Sequence, residues 1–219
     1  MGTDDRAPIN VAGLSPFQKA VARVFFDLSE SRGFLLAGGG ALLATGLSAR
    51  PTNDLDFFGV EPGSSLKVLA DALVARFETL GWHVSIVQIT ETFARMVVTS
   101  TDSLVVDIGI DAPPLSPVFE SEVGPTFALD ELAARKLLAL FDRAEARDFV
   151  DVYVLSSRFD RSRLLVDAAR LDDGFNTEVL ARMMRTVTRF EAEALHPLEA
   201  ESDAIIQFFV SWSDELLRP

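Results

Sequence analysis

The chain has 219 residues, of which 48% are hydrophobic, and it carries a formal net charge of −13 at pH 7. The hydrophobic content excludes an intrinsically disordered chain, and the absence of cysteine excludes disulfides, thiolate metal ligands and cysteine nucleophiles. The negative charge argues against broad, nonspecific binding of nucleic acid. Because no apolar run of about 18 residues and no basic-then-apolar N-terminal pattern occur, we expect no membrane partner and a cytoplasmic location.

The first half of the chain is predicted to mix helices and strands. A helix begins at Ser15-Pro16, an N-cap followed by proline at the first helical position, and ends at Gly33. The predicted elements that follow are a strand at 34–37, a short helix to about Thr45, a strand at 54–60, a helix from Ser65 to Gly81, and three strands of one sheet at 83–89, 93–99 and 103–110.

The second half is predicted to be helical. A loop with four prolines and at most one short strand precedes it, and we interpret this loop as the domain boundary. The helices expected beyond it span 129–142, 147–156, 163–170, 177–193 and 203–217. We therefore predict an α/β (α+β) domain over residues 1–127, with a mixed sheet and flanking helices, and a helical domain over residues 128–219. Positive charge is concentrated in residues 128–190, which hold 11 basic and 11 acidic side chains.

The strongest functional signal is the segment GGGALLATGLSARPTNDLDFFG at residues 38–59. Residues two apart on a strand share a face, so Asp54 and Asp56 are expected to project together while Leu55 and Phe57 face a core. Two converging carboxylates repel each other unless a cation lies between them, and Mg²⁺ with its preference for oxygen ligands is suited to that position. The glycines leave backbone N–H groups open at a helix start, where phosphate binds. The segment therefore predicts a metal–triphosphate site.

This segment resembles the signature of the minimal nucleotidyltransferases, the superfamily that includes DNA polymerase β. Within the superfamily it is most similar to the AbiEii-type toxin nucleotidyltransferases, to which the MenT toxins belong. The residues that match the signature GG-x-AL…R-x-T-x-DLDFF are Gly38, Gly39, Ala41, Leu42, Arg50, Thr52, Asp54, Leu55, Asp56, Phe57 and Phe58. The resemblance implies a nucleotidyltransferase fold, an NTP as substrate and Mg²⁺ as cofactor.

A second block also resembles this family, through its pattern K-x2-AL…R-x3-RD-x2-D-x3-L. The matching residues are Lys136, Ala139, Leu140, Arg143, Arg147, Asp148, Asp151 and Leu155. The resemblance implies that Lys136 contacts the nucleotide phosphates and that Asp148 is required for function. Asp148 and Asp151 share a helix face, but Asp151 either joins the site, pairs with Arg147 or caps the packing.

The polymerase-β-like enzymes use a third carboxylate on a neighbouring strand, for which Asp102, Asp107 and Asp111 are candidates. We assign it to Asp107, because a charged residue between apolar β-branched neighbours is costly without a partner. The predicted sites are then metal ligands Asp54, Asp56 and Asp107; catalytic residues Asp54, Asp56, Lys136 and Asp148; and nucleotide-binding residues Gly38, Gly39, Gly40, Arg50, Thr52 and Lys136. For Arg50 a loop ion pair, and for Thr52 a bond to its own backbone, remain alternatives.

The family resemblance implies a toxin that transfers a nucleoside monophosphate to the 3′ end of tRNA, blocks translation, and has a cognate antitoxin. One alternative is a small-molecule nucleotidyltransferase of the aminoglycoside-modifying kind, since the negative chain would suit a cationic acceptor. The other is a catalytically silent nucleotide-binding protein that acts through its partner.

Overall fold

The computed structural model describes residues 13–48, 50–59 and 65–218. In this part of the chain the strands are β1 Phe34–Ala37, β2 Asp54–Gly59, β3 His83–Ile89, β4 Phe93–Thr99, β5 Ser103–Ile110, β6 Phe119–Ser121 and β7 Gly124–Thr126. The α-helices are α1 Pro16–Asp27, α2 Gly38–Ala44, α3 Leu66–Thr79, α4 Leu129–Asp142, α5 Ala146–Leu155, α6 Arg161–Leu171, α7 Thr177–Arg185 and α8 Ser202–Leu216.

The seven strands form one mixed sheet in the order β3-β4-β5-β2-β1-β7-β6. The β2 strand lies near its centre, antiparallel to β1 and parallel to β5. Its residues alternate as predicted: Leu55 and Phe57 are fully buried, whereas Asp54 and Asp56 are partly exposed on the other face. In register, Asp56 lies beside Asp107 of β5. Strand pairing thus brings two of the predicted carboxylates to neighbouring positions.

Helix α1 supports the loop that leads into β2. Ser15 and Gln18 form a capping box at its start, and the Gln18 Nε2 atom donates a hydrogen bond of 2.7 Å to the backbone oxygen of Thr52. Further along the helix, Phe25 stacks on Phe57 of β2 with ring centroids 3.7 Å apart. The apolar face of β2 and the loop before it are therefore both held against the core.

The C-terminal helices pack on the same hydrophobic core as the sheet. Helix α4 contacts α2 directly, and α5, α6 and α7 pack around α4. The predicted fold class, a mixed sheet with flanking helices followed by a helical segment, is confirmed. The division between residues 127 and 128 stays a prediction. Among the described residues, none of the helices has the length and apolar character needed to cross a membrane.

The structure differs from the predicted elements by more than two residues in three places. The first helix ends at Asp27 and is followed by a 3-10 turn at Ser29–Ser31, and the proline-rich loop contains two short strands. The helix expected over 177–193 ends at Arg185 and is followed by two 3-10 segments. Between these segments Phe190 has an extended backbone, and its ring packs on Phe149. The last residue of the predicted DxD strand, Val60, lies outside the described residues.

Candidate active site

A cavity of about 540 Å³ lies between the polar face of the sheet and helices α4 and α5. Its charged lining consists of six cations and six carboxylates: Arg50, Arg95, Arg135, Lys136, Arg143 and Arg147, with Asp54, Asp56, Asp107, Asp111, Asp142 and Asp172. Gly38, Gly39 and Thr52 line it as well. The two sequence blocks, about 100 residues apart in the chain, therefore meet in one cavity.

Asp54 and Asp56 face this cavity in different hydrogen-bonding states. The Thr52 hydroxyl donates to Oδ1 of Asp54, and Oδ2 of Asp54 lies 3.9 Å from Nη1 of Arg147. Within residues 13–48, 50–59 and 65–218, no group donates a hydrogen bond to the Asp56 carboxylate. Burial, followed by the charge of Asp54, raises the pKa of Asp56 to about 6. The charges of Lys136 and Arg147 offset this effect only in part, so the pair is a concentration of negative charge that a further cation would stabilise.

The first glycine of α2 is required for this arrangement. Gly38 has φ of +60°, and a Cβ atom there would lie 1.7 Å from Oδ2 of Asp56. Gly39 lines the cavity beside Thr52 and Arg50. Gly40, which was predicted to bind nucleotide with them, does not line the cavity. Its Cα faces the apolar side of β2, where an added Cβ would lie 2.7 Å from Leu55 Cδ2, so its smallness serves packing.

Lys136 and Arg50 are held by one buried carboxylate. Asp151 accepts hydrogen bonds from Nε and Nη2 of Arg50 at 2.9 and 3.1 Å, and its Oδ2 lies 2.9 Å from Nζ of Lys136. Burial opposes ionisation of Asp151, but the charges of Lys136 and Arg50 lower its pKa below the ordinary value. Asp151 therefore pairs with these two cations, and the alternative pairing with Arg147 does not occur among the described contacts.

Asp148 lies behind the cavity wall rather than in it. Its side chain is fully buried and accepts two hydrogen bonds of 2.9 Å from Nε and Nη2 of Arg143. It also accepts one of 3.1 Å from the backbone N–H of Glu145 at the start of α5. The turn between α4 and α5 makes this possible through Ala144, whose φ of 47° lies in the left-handed region. Arg143, not Asp148, reaches the cavity.

Asp107 lines the cavity, but Arg95 engages both of its oxygens. The hydrogen bonds from Nε to Oδ1 and from Nη2 to Oδ2 are 2.7 and 2.6 Å long. This bond, and more weakly the charges of Asp56 and Asp54, raise the pKa of Arg95. Asp111 is likewise paired, with Nη1 of Arg135 at 2.6 Å. Among the described residues, no group of three acidic or histidine side chains is arranged to hold a metal ion.

Arg95 was not among the predicted site residues, although the sequence contains a signal for it. The β4 and β5 strands are joined by a tight turn after Thr99, which pairs with Ser103. Counting back from this pair in antiparallel register places Arg95 opposite Asp107. A charged residue between the buried neighbours Ala94 and Met96 then indicates that the polar face of β4 belongs to the site.

The fold and the cavity together define a nucleotidyltransferase: a glycine-opened helix packs against an Asp-x-Asp strand in a mixed sheet. MenT4, a nucleotidyltransferase toxin of Mycobacterium tuberculosis H37Rv, has this fold with a TM-score of 0.59 at 16% identity, over 91% of this chain and 82% of that chain. JHP933 from Helicobacter pylori matches with a TM-score of 0.50 at 20% identity, over 94% and 89% of the two chains. A search of curated proteins finds no match.

A family model places the chain more narrowly. The model described as "Nucleotidyl transferase AbiEii toxin, Type IV TA system" matches residues 19–210. The chain therefore belongs to the AbiEii nucleotidyltransferase toxin family, as the two sequence blocks predicted.

Proposed function

We propose that this chain is a Mg²⁺-dependent toxin that moves a nucleoside monophosphate from an NTP to the 3′ end of tRNA. The observation that carries the proposal is that Asp54 and Asp56 of β2 share one cavity with Lys136 and Arg50. A metal-bound triphosphate requires oxygen ligands for the metal ion and positive charge for the phosphates. A carboxylate pair beside a cluster of cations supplies both. The choice of tRNA as acceptor is supported by the family resemblance of the two sequence blocks.

Asp54 and Asp56 are the residues that would hold the metal ion. They fit this role because Asp56 has no hydrogen-bond donor among the described residues and because its pKa is raised to about 6. Mg²⁺ in nucleotide sites commonly takes one or two protein carboxylates and completes its shell with phosphate oxygens and water. When bound, such an ion stabilises charge that develops on the transferred phosphoryl group and lowers the pKa of an attacking hydroxyl.

Lys136 and Arg50 are proposed to bind the triphosphate. Their side chains are only 10% and 12% exposed, and the exposed part of each faces the cavity. Two cations share the single negative charge of Asp151, so one net positive charge remains for the phosphates. Gly38 and Gly39 allow a phosphate close to the backbone, and Thr52 acts by orienting Asp54 through its hydroxyl.

In the proposed reaction the hydroxyl oxygen of the acceptor forms a bond to the α-phosphorus, and the bond between the α-phosphorus and the bridging oxygen breaks. Pyrophosphate leaves with the electron pair of that bond, and the proton of the hydroxyl passes to water. The residues of the cavity contribute by positioning the triphosphate and neutralising its charge rather than by covalent chemistry. A cognate antitoxin and a cytoplasmic location belong to the same proposal.

The test is to incubate the protein with total tRNA, Mg²⁺ and each of the four α-labelled NTPs in turn. Label should appear on tRNA with the wild type and be absent with Asp56→Ala. It should also be absent when the tRNA 3′ end has been oxidised with periodate, because the acceptor hydroxyl is then gone. Transfer to an aminoglycoside but not to tRNA would favour the small-molecule alternative. NTP binding without transfer to any acceptor would favour the silent nucleotide-binding protein.

A further inference from the structure

Arg95 and Asp107 form a two-bonded ion pair across neighbouring strands. Arg95 of β4 is the antiparallel register partner of Asp107 of β5. The Arg95 guanidinium donates hydrogen bonds of 2.7 and 2.6 Å from Nε and Nη2 to the two carboxylate oxygens. The Asp107 side chain is 10% exposed and that of Arg95 is 47% exposed. The carboxylate is therefore fixed in the wall, while much of the guanidinium faces solvent.

The pair lies beside the proposed metal site. Asp107 is the parallel register partner of Asp56, and Arg95, Asp107 and Asp56 all line the same cavity. An arginine has five N–H donors, and the pair with Asp107 uses two of them. The guanidinium thus has N–H donors that Asp107 does not use, at the edge of the cavity in which the nucleotide is proposed to bind.

Asp107 and Asp56 differ in whether a neighbouring side chain already pairs with the carboxylate. The charge of Asp107 is already balanced by a guanidinium in bidentate geometry, which is a strong form of carboxylate pairing. A divalent ion on Asp107 would have to displace Arg95 or lie against its positive charge. Asp56 faces no such competition, since no described residue donates a hydrogen bond to it.

We propose that Asp107 anchors Arg95 instead of ligating a metal ion, and that Arg95 contacts a phosphate of the bound nucleotide next to Asp56. This inference rests on the proposed function. It assigns Asp107 as a positioning residue that acts through Arg95. It also leaves Asp54 and Asp56 as the metal-binding carboxylates of the three predicted, so we expect one metal ion at the site.

The first experiment measures metal binding without turnover. Mn²⁺ is titrated into the protein in the presence of inorganic tripolyphosphate and followed by electron paramagnetic resonance. We expect one tightly bound Mn²⁺ per chain in the wild type. Asp56→Asn should weaken Mn²⁺ binding by at least tenfold, whereas Asp107→Asn should change it by less than threefold.

The second experiment measures the binding of tripolyphosphate by calorimetry in the presence of Mg²⁺. Arg95→Ala and Asp107→Asn should each weaken it by about tenfold, and the double variant should be no weaker than Arg95→Ala alone. Arg95→Lys should not restore it, because an ammonium cannot form the two-bonded pair. A matched control is the pair of Arg163 with Asp167 at 2.6 Å, with side chains 58% and 6% exposed, outside the cavity. Its variants Arg163→Ala and Asp167→Asn should bind as the wild type does.

The proposal is overturned if Asp107→Asn loses Mn²⁺ as fully as Asp56→Asn does, or if the wild type binds two Mn²⁺ per chain. Additive losses in the double variant would also overturn it, because the two residues would then act independently. If Asp107→Asn does not fold, the tripolyphosphate affinities of Arg95→Ala and Arg95→Gln decide. These variants are expected to fold, since the Arg95 side chain is half exposed. A wild type that binds neither tripolyphosphate nor any NTP would instead refute the proposed function.

Discussion

The Nζ atom of Lys136 lies 2.9 Å from Oδ2 of Asp151, a carboxylate with no solvent exposure. The same carboxylate accepts two hydrogen bonds from Arg50, a residue 101 positions earlier in the chain. Asp151 thus joins the loop before the Asp-x-Asp strand to helix α4. We expect it to fix both proposed triphosphate-binding cations in place without itself reaching the cavity.

Asp151→Asn should impair both stability and binding. Removing one partner of a buried ion pair leaves uncompensated charge, so we expect the free energy of unfolding to fall by about 3 kcal/mol. Because the pKa of Asp151 is lowered, its stabilising effect is present at neutral pH and is lost as pH falls below the ordinary aspartate range. Chemical denaturation at pH 7 and tripolyphosphate calorimetry measure the two effects. Unchanged tripolyphosphate affinity in a folded Asp151→Asn protein would show that Lys136 and Arg50 need no such anchor.

Asp56 should make the metal-free protein less stable as pH rises. Its folded pKa of about 6 lies above the ordinary value of 3.8, so the penalty is absent below about pH 4 and complete above about pH 6. Asp56→Asn should therefore be more stable than the wild type by about 2 kcal/mol at pH 7.5 in EDTA, allowing for solvent in the cavity, and no more stable at pH 4. Urea denaturation at the two pH values measures this difference.

Added Mn²⁺ provides the control for the Asp56 prediction. A ligand that binds only the folded state raises its stability, so Mn²⁺ should stabilise the wild type and leave Asp56→Asn nearly unchanged. A stability difference that is the same at pH 4 and pH 7.5 would contradict a raised pKa for Asp56.

Gly38→Ala should disable the metal site. The new Cβ would lie 1.7 Å from Oδ2 of Asp56, so the carboxylate must move, and we expect Mn²⁺ affinity to fall by at least tenfold. The positive φ adds a backbone cost of about 1 kcal/mol. Gly33→Ala isolates that cost, because Gly33 has φ of +86° and no atom within 4 Å of an added Cβ. Equal Mn²⁺ affinity in the two variants would contradict the close approach of Gly38 to Asp56.

Asp148→Asn should act mainly on stability and on the orientation of Arg143. The substitution weakens two bonds to Arg143 and one to the N–H of Glu145, so we expect a loss of about 2 kcal/mol in unfolding free energy. Transfer activity should fall to the level of Arg143→Ala, and the double variant should be no worse. A catalytic Asp148 would give the opposite pattern, with transfer abolished, the melting temperature unchanged and Arg143→Ala active.

The alternation of Asp54 and Asp56 with Leu55 and Phe57 was sufficient to predict the strand, its buried face and its polar face. This is because a two-residue period is a local property of extended backbone. The helix predicted over 177–193 ends at Arg185, and the 3-10 turn that continues it is interrupted at Phe190 by a contact that is not local. Its pattern is helical, but the packing of Phe190 on Phe149 comes from another part of the chain.

The sequence by itself determined the family and the central strand, since each is encoded in short segments with fixed spacing, and from the same segments it predicted the residues of the site. Only the tertiary structure decided which charges meet: Asp151 with Lys136 and Arg50, Asp148 with Arg143, and Asp107 with Arg95. An aspartate looks the same in sequence whether it ligates a metal ion or anchors an arginine. The two roles differ in which cation lies within about 3 Å of the carboxylate. That distance depends on strand register and helix packing, which bring together residues that are far apart in the chain.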